Sequence, residues 1–402
     1  MTFVRSRATR LTALSAALAL TAGAFAGTAV LADEHEELDG TGVSIDLIVK
    51  ENINPFWVWM IDGATAKADE LGADLQACWG VKDPDPEGQT TCIENAVARG
   101  ATTILLAPAN ADVTPAVLRA REEGVVVIAL DTATDPPDAV DVTFATDNFE
   151  AGLKIGQWAA AQLGPEGVEN AKIGLININP SQPVVGVKRN QGFLQGFGID
   201  IGDPNVWGDE DDPRIVGQEV GSGSQQDSVT AMENLLQIDP EINVLYTINE
   251  PTARGAVQAM NTFGISTDDV LIVSVDGGCE AMGDIDDGII NATSQQYPSR
   301  MAELGVEWGI RNALTGDVPA PEDSEFFTEG LDIFNTGVTL ITNEPQEGIE
   351  SLTAEEGREI CWGNPYQTGS PRDDGVAARP PRPYVYNPRL MGVGRDRERE
   401  AS

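Results

Sequence analysis

Histidine is almost missing from this chain of 402 residues: His35 is the only one. A zinc site or a His-dependent catalytic triad therefore has next to nothing to be built from. Positive charge is scarce too, with 25 Lys and Arg against 64 Asp and Glu and a formal net charge of −39. Arg5, Arg7 and Arg10 stand at the N-terminus and further arginines follow Pro371, so the body between them is more acidic still. Such a field repels nucleic acid and anionic membrane surfaces. It suits solubility in an exported protein, and it suits a saline medium in which screening weakens self-repulsion. The four cysteines, Cys78, Cys92, Cys279 and Cys361, form no C-x-x-C motif. They permit two disulfides in any of three pairings, among them Cys78 with Cys92 and Cys279 with Cys361. No phosphate-cradling Gly-Lys-Ser/Thr loop and no G-x-S-x-G elbow occur, and GSGSQQ at 221–226 lacks the third glycine of a dinucleotide fingerprint. No metal and no cofactor are expected.

Long apolar runs are also lacking beyond the N-terminus, so no direct membrane insertion is expected. Residues 1–32 combine early arginines, an Ala/Leu/Gly/Thr stretch and Val30-Leu31-Ala32, the order of a secretory signal cleaved after about Ala32. No cysteine stands there to carry a lipid. The sequence thus predicts an exported, soluble protein working in the periplasm or at the outer face of the cell membrane, with an acidic linker over 33–42.

What the chain has is a regular alternation. VSIDLIV (43–49) leads to a helix from about Pro55 to Leu71, ADLQAC to one near 88–99, and TTILLAP to one near 111–123; VVVIALD and VTFAT follow. The pattern restarts at KIGLINI (172–178) and runs through IVGQEV, NVLYTI, VLIVSVD and IINATS with helices between. Continuous Val/Ile/Leu runs read as strands buried on both faces, and strand–helix alternation makes a parallel, doubly wound α/β sheet. Two such series predict two lobes joined by a hinge. The first comprises 43–148 plus about 297–325; the second, 149–296 plus about 326–345. Order is expected to fall away beyond about 345 in a C-terminal extension, with a flexible Pro/Arg-rich tail from about 364.

Ligands bind at strand ends in open α/β sheets. Asn54, Phe56 and Trp57 follow the first strand; Asp131 and Thr132, Asn249, Asp276, and Gln295 and Gln296 follow later ones, and Arg189 lies on a helix of the second series. Flat aromatic faces suit the C–H faces of a sugar ring, while amides, carboxylates and a guanidinium suit its hydroxyls. Each residue also has a purely structural use. Asn54-Pro55 is a good helix start, Trp59 and Met60 read as core, and Asp131 and Asp276 suit turns. Asp147-Asn148 reads as a cap at a lobe crossing, and Glu250 as a helix-start acid. A two-carboxylate glycosidase is the rival from another class, with Asp131 and Asp276 as its only testable pair.

The motifs NPFW, ALDTATD, TDNFEAG, NQGFLQGF, TINEP, SVDGG and TSQQYP, in this order, resemble the ribose/galactose-type periplasmic sugar-binding proteins of ABC importers. GFGIDIGDPN, DEDDPRIVG and SVDGGC with ATSQQYP resemble the fructose-binding branch. The resemblance covers about 43–345. It implies the two-lobed type I periplasmic binding protein fold, and a monomer without catalytic residues that closes over one monosaccharide, fructose foremost, and meets a membrane permease. Sugar sensing for a chemoreceptor is the other use it allows. The implied ligand-binding residues are Asn54, Phe56, Trp57, Asp131, Thr132, Arg189, Asn249, Asp276 and Gln296. Three departures bear on the sugar. Trp57 stands where the family motif has Phe. Thr132 stands where ribose-type binders have Arg, which removes a two-pronged clamp on hydroxyls. The second-lobe aromatic of ribose binders falls near Gly223.

Overall fold

The computed structural model describes residues 38–181, 183–320, 327–328 and 331–363. The expected signal segment and the tail from 364 lie outside them. In the first lobe, β1 (Ser44–Val49), β2 (Asp74–Trp79), β3 (Thr103–Leu106), β4 (Val126–Leu130) and β5 (Val142–Ala145) alternate with α1 (Pro55–Leu71), α2 (Pro86–Arg99) and α3 (Thr114–Glu122). α4 (Asn148–Glu169) opens the second lobe. β6 (Ile173–Asn177), α5 (Val184–Phe197), β7 (Ile215–Val220), α6 (Gln225–Ile238), β8 (Val244–Thr247), α7 (Glu250–Phe263), β9 (Leu271–Asp276), α8 (Cys279–Asp286) and β10 (Ala292–Gln295) follow. α9 (Pro298–Thr315), β11 (Phe327–Thr328) and β12 (Ile333–Asn335) return to the first lobe, and β13 (Thr339–Thr342) and α10 (Ala354–Gly357) belong to the second.

The sheets run β11-β12-β5-β4-β3-β1-β2 and β13-β10-β9-β8-β6-β7. Leaving out the returning strands, both have the same order, and all their pairs are parallel. The winding reverses between β1 and β3 in one sheet and between β6 and β8 in the other. These reversals open crevices at the carboxyl ends of the strands. Apolar runs are buried on both faces in the central strands, whereas the edge strands β2 and β7 stay half-exposed, unlike the expectation for their whole length.

Three expectations need correction. Residues 327–335 belong to the first sheet, not the second. β12 pairs parallel with β5, and Phe334 buries itself against Phe144 and Phe327 at ring-centre distances of 5.6 and 5.3 Å. Strands this short carry no periodic signal. Order does not end near 345. Leu352 bonds to β13, Thr353 and Glu356 form a capping box on α10, and Cys361 is disulfide-bonded to Cys279. Nor is 38–42 a free linker, because Leu38 packs on the first core and the Gly40 amide donates to Leu71 O.

The chain crosses between sheets near 146–147, 296–297 and 336–338, and the crossings bond to one another. Thr146 Oγ1 donates to Gly337 O, and Tyr297 and Thr339 share a hydroxyl contact at 2.7 Å. α4 and α5 pack with almost no side chain between them. A Cβ on Gly152 would lie 2.1 Å from Arg189 O, and one on Gly192 would lie 2.1 Å from Phe149 O. Gly152→Ala must push α5 outward, and a destabilisation of about 2 kcal/mol is expected from the usual cost of overpacking. Urea unfolding against wild type measures it.

Candidate functional site

One cavity, with an empty volume of about 440 Å³ including its mouth, lies between the carboxyl ends of the two sheets. Eight of the nine expected residues line it: Asn54, Phe56, Trp57, Asp131, Arg189, Asn249, Asp276 and Gln296. The ninth, Thr132, stands behind the wall and donates its hydroxyl to Asp131 Oδ2 at 2.7 Å.

In the first lobe, Asn54 caps α1 by accepting from the Phe56 amide at 3.0 Å, with Pro55 at the first helical position. This start turns the next two side chains to the strand ends. Phe56 and Trp57 meet edge to face at 4.9 Å, both buried in the first-lobe core while reaching the cavity. Asp131 has φ 64° at the end of β4, and Asp276 has φ 115° at the end of β9. Non-glycine residues rarely take such angles, and where they do the strain often accompanies function.

In the second lobe, Asp276 Oδ1 receives Arg189 Nη1 at 3.1 Å and Gln296 Nε2 at 2.5 Å. Arg189 is fixed in turn by Asn148 Oδ1 at 2.8 Å and Ile248 O at 2.9 Å. Asn148, expected only near a cap, thus orients the guanidinium, while Asp147 is the cap and accepts from the Phe149 and Glu150 amides. Asn249 caps α7 through Thr252 and donates to Gly223 O at 3.2 Å. Burial, the larger cause, raises the Asp276 carboxyl against the pull of Arg189 and Gln296. Glu250 is buried as well, accepting from the Gly277 amide at 2.8 Å and Thr293 Oγ1 at 2.6 Å, so it fixes the turn beside Asp276.

Sequence reasoning missed Lys50, Glu51, Asp83, Ile178, Val185 and Ser222, which with Gly223 complete the lining. Lys50 and Ile178 sit just past β1 and β6, so the strand-end rule itself could have found them. Asp83 lies in the Pro/Asp-rich segment after β2, where an aspartate reads as a turn former. Near Gly223 the wall is built from Ile178, Val185 and Ser222 rather than an aromatic.

The site also has a strap. Cys361 is buried in the second-lobe core, whereas its neighbour Trp362 packs on the first. The Trp362 ring meets Phe56 edge-on at 5.6 Å, its Nε1 donates to Asp276 O at 3.1 Å, and its carbonyl accepts from Cys279 N at 2.7 Å. The disulfides present are Cys78–Cys92 and Cys279–Cys361, with Cα separations of 5.9 and 5.0 Å. Among the described residues no cluster of His, Cys, Asp or Glu could hold a metal, and no helix is long and apolar enough to cross a membrane.

A family profile described as periplasmic binding protein domain matches residues 45–316, and the chain belongs to that family. Its relatives are binding proteins, not enzymes. It is 29% identical over 269 residues to the ribose import binding protein of Escherichia coli, covering 66% of this chain and 82% of the relative. It is 26% identical to the D-allose-binding periplasmic protein of the same organism, covering 70% and 88%. The D-apiose import binding protein of Paraburkholderia graminis is 27% identical, covering 69% and 83%. The fold is shared with a galactofuranose binding protein, at TM-score 0.64 and 20% identity over 79% of this chain and 97% of that one.

Two predictions follow from this geometry. Burial, helped by the Asp276 charge, pushes the Glu250 carboxyl from an ordinary 4.5 up to about 8. Between those values the folded state holds a proton that the unfolded chain has lost, so stability declines as pH rises through the window. Glu250→Gln keeps the acceptor and removes the titration. Its melting temperature is expected to fall less than that of wild type from about pH 5 to about pH 8, as differential scanning fluorimetry would show. Trp362→Ala is expected to cost about 2–3 kcal/mol in urea unfolding, below the range for a fully buried tryptophan because the indole is half-buried.

Proposed function

We propose, taking membership of the periplasmic binding protein family as the premise, that this chain is an exported receptor for a neutral monosaccharide. It captures the sugar between its lobes and delivers it to the permease of an ABC transporter. The observation that carries this reading is the convergence, on one cavity, of strand-end residues from both lobes. The aromatic pair Phe56–Trp57 offers an apolar face, and Asn54, Asp131, Arg189, Asn249, Asp276 and Gln296 offer donors and acceptors for hydroxyls. Relatives named for ribose, allose and apiose support the ligand class.

Within that class D-fructose is the sugar proposed first, ahead of D-ribose and D-allose. The support is the sequence: Thr132 offers no guanidinium beside Asp131, and the extended motifs match the fructose-type pattern. The proposed mechanism is closure. Sugar touches both lobes only when they approach, so binding shifts the population toward the closed form across the three crossings. That form presents both lobe surfaces to the permease. Export with cleavage after about Ala32, and a monomeric state, complete the proposal.

Titration calorimetry of the mature protein against D-fructose, D-ribose and D-allose tests the reading. Asp276→Ala and Asp131→Ala are each expected to weaken binding of the preferred sugar at least about 100-fold, the scale of truncating a buried hydrogen-bonded charge. Near-wild-type affinity in both variants refutes the site.

A further inference from the structure

Most charged groups on the cavity wall are already engaged with the protein. Glu51 accepts from the amides of Ile53 and Asn54, and Asp131 from Thr132. Arg189 holds Asn148, Ile248 O and Asp276. Two groups are not engaged in this way. Lys50, at the end of β1, is only 1% exposed, yet among the described residues its ammonium has no ion pair or hydrogen bond. It lies over the face of Trp57, 5.4 Å from the ring centre. Asp83 keeps part of its surface exposed, but its Oδ1 is fully buried without a partner. Its carboxyl is raised mainly by burial, and it also feels the charges of Lys50 and Asp131. Both residues line the cavity.

A buried ammonium that donates no hydrogen bond is costly in a folded protein even with a carboxylate charge nearby, as is a buried carboxylate oxygen that accepts nothing. Such groups are tolerated where something else completes them, and both residues belong to the cavity wall. One brings donors and the other an acceptor. Adjacent hydroxyls fit that combination, since each can accept from an ammonium or donate to a carboxylate. An anionic sugar does not fit. The wall carries four carboxylates, Glu51, Asp83, Asp131 and Asp276, against the two cations Lys50 and Arg189.

We infer that Lys50 and Asp83 are a specificity-determining pair that reads adjacent hydroxyls of a neutral sugar at the first-lobe end of the slot and excludes uronates. This rests on the sugar-binding reading above and adds the residues that select within it. Lys50 donates to one hydroxyl oxygen while packed on Trp57, and the Asp83 carboxylate accepts from its neighbour.

The test uses the mature protein with Lys50→Met and Asp83→Asn, read by calorimetry with D-fructose, D-ribose, D-allose and D-glucuronate and by melting without ligand. Each variant is expected to lose at least 30-fold in affinity for the preferred neutral sugar. D-glucuronate is expected not to bind wild type. Because methionine fills similar space without charge, ligand-free Lys50→Met is expected to melt higher than wild type. A lysine kept for the fold would melt lower on substitution, and that outcome overturns the inference. So does affinity within threefold of wild type in both variants, or glucuronate binding as tight as that of the neutral sugar. Wild type binding none of the three neutral sugars overturns the sugar reading and this inference with it. Wild type binding one of them while the variants keep its affinity overturns this inference alone.

Discussion

The contact between Arg189 and Asp276 is the constraint around which the second half of the site is arranged. Each side chain is only 6% exposed, so each needs the other, and both need further partners. Arg189 finds them in Asn148, at the start of α4, and in Ile248 O, past the end of β8. Asp276 finds one in Gln296, at the second lobe crossing. The pair therefore ties a helix, two strand ends and a crossing to one point. It can do so only because Gly152 and Gly192 let α5 lie directly on α4. A packing detail with no polar side chain in it thus sets where a guanidinium points.

The C-terminal strap makes the same point for the first lobe. Trp362 touches the Phe56 ring on one side and the Asp276 carbonyl on the other, while Cys361 holds it to α8. Gly278 is part of the arrangement, because a Cβ there would lie 2.9 Å from the indole. Two consecutive residues thus belong to two cores. A segment that reads as polar and Gly-containing becomes, once cross-linked, a bridge between the aromatic wall and the strained aspartate. Closing a loop of 82 residues is what gives such a bridge its entropic hold.

Much of this was legible in the sequence because parallel sheets announce themselves. Runs such as VLIVSVD have no other comfortable place, and the rule that ligands sit past such runs led directly to Asp131, Asn249 and Asp276. The illegible parts have physical reasons. β12 has three residues, too few for a period, and owes its pairing to Phe334 finding Phe144. The strap depends on which cysteines meet, which composition leaves open. Asp83 reads as a turn former, and only the third dimension turns its carboxylate to the cavity. Lys50 was missed because a lysine after an apolar strand is usually solvated; here α1 and its tryptophan close over it.

The acidity of the chain and the polarity of its cavity are connected through the same electrostatics. A surface with so many carboxylates repels anions at long range, and the cavity repeats that preference at short range, with Asp83, Asp131 and Asp276 on one wall or the other. Yet Arg189 and Lys50 keep the cavity from favouring simple cations. Asp131 and Asp276 sit at positive φ, which aims each carboxylate past its strand end at some conformational cost. The result is a lining of donors and acceptors on which four carboxylates outnumber two cations, most of them held by protein partners. A ligand that brings hydroxyls can bond to this wall without displacing those partners, whereas one bringing a carboxylate meets the excess of negative charge. On the proposed reading, the preference for a neutral ligand rests on this excess of carboxylates and on the wall charges that already have protein partners, independently of which sugar fits the shape.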